Sequence, residues 1–241
     1  MNHRSLMNFA VKYVLPAGIA CAVFAQQPAQ EGQSKKTAPP KAQRAKLLFR
    51  ETWQQFGPGG EHPMAQPGLS NANLELNLYG PSGKDMQITG TATDETNPTH
   101  VWTGLCEQTC ALAVRDKNGY MDLSGLGRVR WLVKVAGFHQ MRPIVKLANG
   151  TWLVGDHTDG LTADWIESEF TPSALRWRKL DIKKVVEAPD GKWIDNPDLG
   201  KVEEFGFTDL MPGSGHGPGG WSDLAWFEIY GKSVPRDAKS E

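Results

Sequence analysis

The feature that most constrains the fold is a series of short β-type segments that fills the chain from residue 47 onward. Residues 74–78 alternate apolar and polar side chains, and residues 128–135 place every second side chain, Trp131 among them, on one face. Turn-forming Gly, Pro, Asn and Asp residues separate these segments. Only residues 182–187 offer a helical period as an alternative. The pattern predicts an all-β chain.

About eleven strands are predicted, and their spacing favours an antiparallel β-sandwich, or jelly roll. Residues 142–147 and 151–154 read as a hairpin closed by the turn Ala148-Asn149-Gly150. The predicted strands cover residues 74–78, 86–93, 100–105, 110–115, 128–135, 142–147, 151–154, 165–170, 177–182, 202–209 and 224–230. We therefore expect one β domain over residues 47–235.

The first 25 residues have the pattern of an export signal. Arg4 and Lys12 come before an apolar stretch, residues 13–24, that is short for a membrane span and typical of a signal-peptide core. Small residues predict cleavage after Ala25, which would leave a periplasmic or extracellular chain without a membrane span. Two alternatives remain open, a lipid anchor on Cys21 and an uncleaved anchor helix.

The charge of the chain is distributed unevenly. Residues 26–46 carry +4 and are rich in Gln, Pro, Ala and Lys, a composition that predicts a flexible linker. Residues 47–241 hold 19 basic and 26 acidic side chains, a formal charge of −7. Because binding to nucleic acid requires a basic surface, the acidic domain argues against that partner. Residues 236–241 are predicted to be a disordered tail.

Export would place Cys106 and Cys110 in an oxidising compartment, where an even pair of cysteines predicts a disulfide. A metal site would need a third cysteine or a neighbouring histidine, and a redox motif would normally have a two-residue gap. We therefore expect a local disulfide that closes a short loop between two strands and stabilises it modestly.

The order of the later segments resembles that of a galactose-binding-like β-sandwich. The resemblance extends to carbohydrate-binding modules of that fold and to the complex I intermediate-associated protein family. In these families a Trp-led segment, a Val-x-x-x-Gly-Phe strand and a final strand close the jelly roll. The segments that carry the resemblance are residues 128–135, 142–147, 149–152, 177–181, 202–207 and 223–229. It implies the sandwich fold and, since such domains commonly hold one, a structural calcium ion.

All nine tryptophans lie in the predicted β domain. Trp131, Trp177 and Trp226 fall in core-like strand patterns, so we expect them to pack in the core. An indole ring can instead stack on the apolar C–H face of a sugar ring while its N–H stays available for a hydrogen bond. The tryptophans that flank Gly- or Asp-rich turns, where such a platform is expected, are Trp102, Trp152, Trp165 and Trp221.

Polar loop residues supply the other candidate contacts to a sugar. Ordinary turn chemistry, in which Asp and Asn bond their own backbone, is the alternative for all of them. Asp156, His157 and Asp159 could also bind a metal, and this oxygen-rich set would suit calcium better than zinc. The polar candidates are His139, Arg142, Asp156, His157, Asp159 and, in the Gly-rich loop 213–220, His216.

An enzyme is predicted less directly, from one pair of carboxylates. Glu167 and Glu169 alternate on a predicted strand, which puts them about 7 Å apart on one face. Two carboxyl groups flanking a glycosidic bond are what glycoside hydrolysis requires. An acidic solvent-facing edge is the competing interpretation.

The favoured hypothesis is an exported, non-catalytic carbohydrate-binding protein. Its alternatives are a glycoside hydrolase or lyase on a jelly-roll fold, and a module that binds an exported protein or a cell-surface component.

Overall fold

The computed structural model describes residues 45–212 and 220–236. The predicted signal peptide, Cys21, nearly all of the predicted linker, His216 and the last five residues lie outside the described residues. Within the described part of the chain, no helix is long and apolar enough to cross a membrane.

The described residues form sixteen β-strands and three short 3-10 helices. The strands are β1 (Lys46–Glu51), β2 (His62–Pro63), β3 (Leu74–Tyr79), β4 (Gln87–Thr89), β5 (His100–Trp102), β6 (Cys110–Asp116), β7 (Tyr120–Asp122), β8 (Arg128–Gly137), β9 (Met141–Leu147), β10 (Trp152–Gly155), β11 (Ile166–Phe170), β12 (Trp177–Asp181), β13 (Val186–Glu187), β14 (Trp193–Ile194), β15 (Val202–Asp209) and β16 (Gly220–Val234). The 3-10 helices are Gln66–Gly68, Gly83–Asp85 and Pro172–Ala174.

The strands form two antiparallel sheets. In sheet A, β8 and then β11 lie on one edge of β16, while β5 and β1 lie along its other edge and β4 and β2 continue from β5. Sheet B has the order β3-β6-β15-β9-β10-β12, with β13 and β14 beyond β12. The end of β16 pairs with β7, which also pairs with β15, so these two strands connect the sheets.

The core lies between the two sheets. Side chains of β8 alternate between buried and partly exposed along the strand, and Trp131, which is fully buried, points inward. Its ring centroid is 6.5 Å from that of Phe205 in sheet B, and Phe205 lies 6.0 Å from Phe227 in sheet A. The predicted fold class, an all-β antiparallel sandwich of the jelly-roll type, is confirmed.

Each of the eleven predicted strands has a counterpart, including the hairpin in which Trp152 pairs with Lys146. The five strands that were not predicted are β1, β2, β7, β13 and β14, and four of these contain only two or three residues. So short a segment cannot show an alternating pattern, and its partner strand holds it in place instead. Residues 182–187 end in β13 and form no helix.

Trp226 was predicted to pack in the core, and this prediction is wrong. A β-bulge between Leu224 and Trp226 shifts the register of β16, and the indole of Trp226 is partly exposed on the outer face of sheet A. The guanidinium carbon of Arg50 lies 4.4 Å from the centroid of this ring. Trp131 and Trp177 are fully buried, as expected.

The predicted disulfide is not formed. Cys106 and Cys110 are both buried, and a hydrogen bond rather than a covalent bond joins their side chains. This hydrogen bond, together with burial, raises the pKa of the Cys110 thiol well above its usual value. The physical reason is that disulfide formation starts from a thiolate, and burial together with this hydrogen bond keeps the Cys110 thiol protonated.

Candidate functional site

The candidate site is a cleft on the outer face of sheet A, where β5 pairs with the first half of β16. Its cavity volume is about 190 Å³. Four of its side chains come from β5 and β16, two from each strand. The other three come from β4 and from two loops. The lining residues are Glu61, Thr89, Asn97, His100, Trp102, Trp221 and Asp223.

The alternation of side chains along a strand places these groups together. His100 and Trp102 flank Val101, which is fully buried in the core, so both of them point to the opposite face. Trp221 and Asp223 flank the buried Ser222 in the same way. Trp102 and Asp223 are direct partners across the two strands. The floor of the cleft is therefore formed by two paired strands of sheet A.

Asp223 is the most unusual group in the cleft. The indole N–H of Trp221 donates a hydrogen bond of 3.1 Å to Asp223 Oδ2, whereas Asp223 Oδ1 is buried and has no hydrogen-bond partner within residues 45–212 and 220–236. Burial raises the pKa of Asp223 to about 8, against the opposing effects of the Trp221 hydrogen bond and the charge of Lys134. At neutral pH the carboxyl group is therefore mainly protonated.

His100 faces this carboxyl group as a neutral imidazole. Its Nδ1 lies 2.7 Å from the carbonyl oxygen of Pro98, and because a carbonyl can only accept, Nδ1 carries the proton. Burial lowers the pKa of His100. The other ring nitrogen, Nε2, lies 3.9 Å from Asp223 Oδ1. The ring of Trp165 packs edge-on against the imidazole, with 5.1 Å between the centroids.

The two tryptophans of the cleft differ in their exposure to solvent. Trp102 is only 5% exposed and packs against Gly104, where an added Cβ would lie 1.9 Å from the ring. Any residue larger than glycine at position 104 would therefore displace this wall. Trp221 is partly exposed, so its ring offers the surface on which a flat apolar ligand face can stack.

A buried polar network supports the cleft from inside the sandwich. Asp209 Oδ2 lies 2.5 Å from His139 Nδ1 and accepts a hydrogen bond of 2.9 Å from the Ser222 hydroxyl. Ser222 also exchanges hydrogen bonds with Thr103, the residue after Trp102. His139 is 3% exposed. The structure thus places this predicted ligand-binding residue behind the cleft, where it supports β16.

Arg142 and Trp152 lie on the outer face of sheet B, away from the cleft. Arg142 donates two hydrogen bonds to the carbonyl oxygen of Gly155 and one to Glu187. Trp152 is 8% exposed and packs edge-on against Tyr79 at 4.9 Å. These two predicted binding residues therefore do not join Trp102 and Trp221.

The predicted metal ligands at residues 156–159 are used in hydrogen bonds within the protein. Asp156 Oδ1 accepts a hydrogen bond from the backbone N–H of Arg176, and Asp159 Oδ2 accepts one from Trp131 and lies 2.9 Å from His157 Nε2. These hydrogen bonds occupy one oxygen of each of the two carboxylates. Across the described ranges, no group of three or more His, Cys, Asp or Glu side chains is arranged to hold a metal ion.

Glu167 and Glu169 lie on β11, at the edge of sheet A farthest from β5. Both side chains are 47% exposed, and both are paired with Arg130; Arg128 also lies 3.6 Å from Glu169. Both carboxylates therefore belong to a solvent-facing network of ion pairs with Arg128 and Arg130.

Trp102 and Trp221 were predicted from the sequence, whereas His100 and Asp223 were not. The signal was present in His100-Val-Trp102 and Trp221-Ser-Asp223, since residues two apart on a strand share a face. Nothing in the sequence showed that these two strands are neighbours. Thr89, Asn97 and Glu61, which complete the lining, come from segments that only the fold brings close.

No family model matches the chain. Among curated proteins, a type III pantothenate kinase from Pseudomonas fluorescens is 38% identical over 86 residues, covering 32% of this chain and 30% of that protein. The match thus spans less than a third of the curated relative.

Several solved structures are similar to this fold. A family 11 carbohydrate-binding module of a cellulosomal cellulase from Clostridium thermocellum has 16% identity and a TM-score of 0.43, covering 81% of this chain and 99% of that one. A family 29 module in complex with mannohexaose has 12% identity and a TM-score of 0.42, with coverage of 78% and 94%. An exo-β-agarase has 10% identity and a TM-score of 0.37, covering 69% of this chain and 24% of that chain. Because every TM-score is low, the cleft itself has to carry any functional argument.

Proposed function

We propose that this protein is a carbohydrate-binding protein that holds a neutral sugar in the cleft of sheet A. The observation that carries the proposal is the partly exposed indole of Trp221 beside the buried carboxyl group of Asp223, whose Oδ1 has no hydrogen-bond partner in the part of the chain that the structure describes. A protein that binds a sugar needs an aromatic ring on which the sugar can stack and polar groups that form hydrogen bonds with its hydroxyls. Trp221 supplies the first, and His100 and Asp223 supply the second.

The charge state of the cleft favours an uncharged ligand. At neutral pH the Asp223 carboxyl and the His100 imidazole are both mainly neutral, because burial shifts both pKa values toward the uncharged form. Glu61 at the rim and the −7 charge of residues 47–241 would repel anionic sugars. A neutral polyhydroxylated ring fits this environment best.

The size of the cleft limits what it can enclose. Pockets for drug-sized ligands typically measure about 300–1,000 Å³, whereas this cavity measures about 190 Å³. It therefore suits a single sugar ring, with the rest of any chain running across the surface.

Calorimetric titration can test the proposal with mannohexaose, a β-1,3-1,4-mixed-linked glucan tetrasaccharide and β-1,4-galactotriose. We expect at least one of them to bind, and Trp221→Ala to weaken that binding about tenfold or more because the stacking surface is lost. The matched control is Trp193→Ala, since Trp193 is also partly exposed but lies on β14 in sheet B. Equal weakening by both variants, or no binding of any sugar to the unaltered protein, would contradict the proposal.

A second candidate, hydrolysis of a glycosidic bond, rests on a specific observation in the same cleft. Asp223, with a pKa of about 8, has the protonation state of a general acid, and Glu61 lines the same cavity. The release of reducing ends from each oligosaccharide would identify such an activity, and Asp223→Asn should abolish it. Binding without release would favour the non-catalytic function.

The proposed function also includes export of the chain and a disulfide between its two remaining cysteines. We propose that the chain is exported by its N-terminal segment, with a lipid anchor on Cys21 as the alternative. We also propose that Cys106 and Cys110 form a disulfide after export by thiol–disulfide exchange with an oxidised dithiol protein, which takes up the two electrons and two protons. Intact-mass measurement of the exported protein should show loss of the segment up to Ala25 and of two hydrogen atoms. A mass that retains both hydrogens would leave the cysteines as the thiols of the present structure.

A further inference from the structure

One pair of atoms in the cleft faces each other without bonding. Asp223 Oδ1 and His100 Nε2 are 3.9 Å apart, which is too long for a hydrogen bond. Asp223 Oδ1 is buried and has no other partner among the described residues. Since buried polar atoms in native proteins nearly always have a partner, Asp223 Oδ1 is an atom at which a ligand group can complete the pairing.

The roles of the two atoms follow from their other hydrogen bonds. His100 Nδ1 donates to the Pro98 carbonyl, so Nε2 of the neutral ring can only accept. Asp223 Oδ2 accepts the N–H of Trp221, so the proton of the neutral carboxyl group is carried on Oδ1, which can then donate. The cleft thus presents one donor and one acceptor side by side.

A hydroxyl group is the chemical group that matches this pair. An oxygen about 2.8 Å from each of the two atoms would lie about 2 Å off the line that joins them. It would accept the proton of Asp223 and donate its own to His100. An ether or a deoxygenated carbon cannot donate, and an ammonium group cannot accept.

We propose that Asp223 and His100 together recognise one hydroxyl group of the sugar, with the carboxyl group donating and the imidazole accepting. This inference rests on the proposed carbohydrate binding and adds which groups determine specificity. Among the described residues, the charged or titratable side chains around the carboxyl group are His100 on β5, Lys134 on β8 and Glu61, which lines the cleft.

The test uses the same three oligosaccharides at about pH 6.5 and at about pH 9.5, on either side of the Asp223 pKa of about 8. We expect the unaltered protein to bind about tenfold more weakly at the higher pH, because the ionised carboxylate can no longer donate. Asp223→Asn should bind similarly at both values, since its amide can donate and does not ionise. Asp223→Ala should bind weakly at both.

Two further variants make the result specific. His100→Phe and Asp223→Ala should each weaken binding, and the double variant should be no weaker than the weaker single one, because both side chains bind the same hydroxyl. Asp190→Asn is the matched control, since Asp190 is an exposed turn residue that caps the backbone of Lys192. Circular dichroism should show native β structure for every variant used.

The possible failures are distinguishable. If the unaltered protein and Asp223→Ala bind a sugar equally well at both pH values, the hydroxyl-recognition proposal is wrong and carbohydrate binding stands. If none of the oligosaccharides binds to the unaltered protein, both proposals fail.

Discussion

Two buried aspartates of this sandwich, Asp159 and Asp223, have similar neighbours, but their pKa values are shifted in opposite directions. Asp159 and Asp223 are 8% and 4% exposed, and each accepts a hydrogen bond from a tryptophan N–H and lies near a histidine. Yet the pKa of Asp159 is lowered and that of Asp223 is raised to about 8. Burial raises the pKa of both groups, so the difference comes from their partners.

Asp159 has enough partners to outweigh burial, and Asp223 does not. Asp159 Oδ2 lies 2.7 Å from the donor N–H nitrogen of Trp131 and 2.9 Å from His157 Nε2, and Ser168 also bonds this carboxylate. From the described residues, Asp223 receives only the hydrogen bond of Trp221. A buried carboxylate with several donors serves as a structural anchor, whereas one with a single donor remains able to bind a ligand.

The largest expected effect comes from removing the anchor. Asp159→Ala should lower the free energy of unfolding by about 3 kcal/mol, because the buried N–H of Trp131 would lose its acceptor. Urea denaturation followed by tryptophan fluorescence measures this. The matched control is Asp156→Ala, three residues away and exposed, which should cost less than about 1 kcal/mol. Equal losses for the two variants would contradict the anchoring role.

The pH dependence of stability should separate the two aspartates. Because the folded pKa of Asp223 lies above its unfolded value, the stability that its proton provides is complete below about pH 4 and is lost as the pH rises to about 8. The free energy of unfolding of Asp223→Asn should therefore rise, relative to that of the unaltered protein, by up to about 1.4 kcal/mol per pH unit between about pH 5 and about pH 7.

For Asp159 the sign is reversed. Its folded pKa lies below the unfolded value, so its contribution is present above about pH 4 and is lost as the pH falls further. Urea denaturation across this range measures both trends. A stability difference between Asp223→Asn and the unaltered protein that stays constant from about pH 5 to about pH 7 would show that Asp223 is ionised in the folded state.

The smallest effect is expected for the exposed carboxylates of β11. Replacing both Glu167 and Glu169 by Gln should change the free energy of unfolding by less than about 1 kcal/mol, since their pairs with Arg130 are open to solvent. It should alter neither oligosaccharide binding nor reducing-end release. Loss of either activity in this variant, measured beside Asp223→Asn, would move the candidate site from the cleft to β11.

Part of the candidate site could be predicted from the sequence. Trp102 and Trp221 were found because they flank turn residues, and the alternation in 128–135 gave the inward face of β8. His139 looked equally suitable for binding, yet it is buried against Asp209. The sequence shows that a side chain is polar and near a turn, but whether it faces solvent depends on which strands cover it. Asp223 was missed for the same reason.

By itself the sequence determined the class of the fold, because an alternating pattern interrupted by turn residues can bury its apolar face only in packed sheets. It also determined the acidic charge of residues 47–241. Only the tertiary structure decided that β5 lies beside β16, which brings His100 and Asp223 to within 3.9 Å. The physical reason is that strand pairing and burial act between residues distant in sequence, and they alone set which polar groups lack a partner.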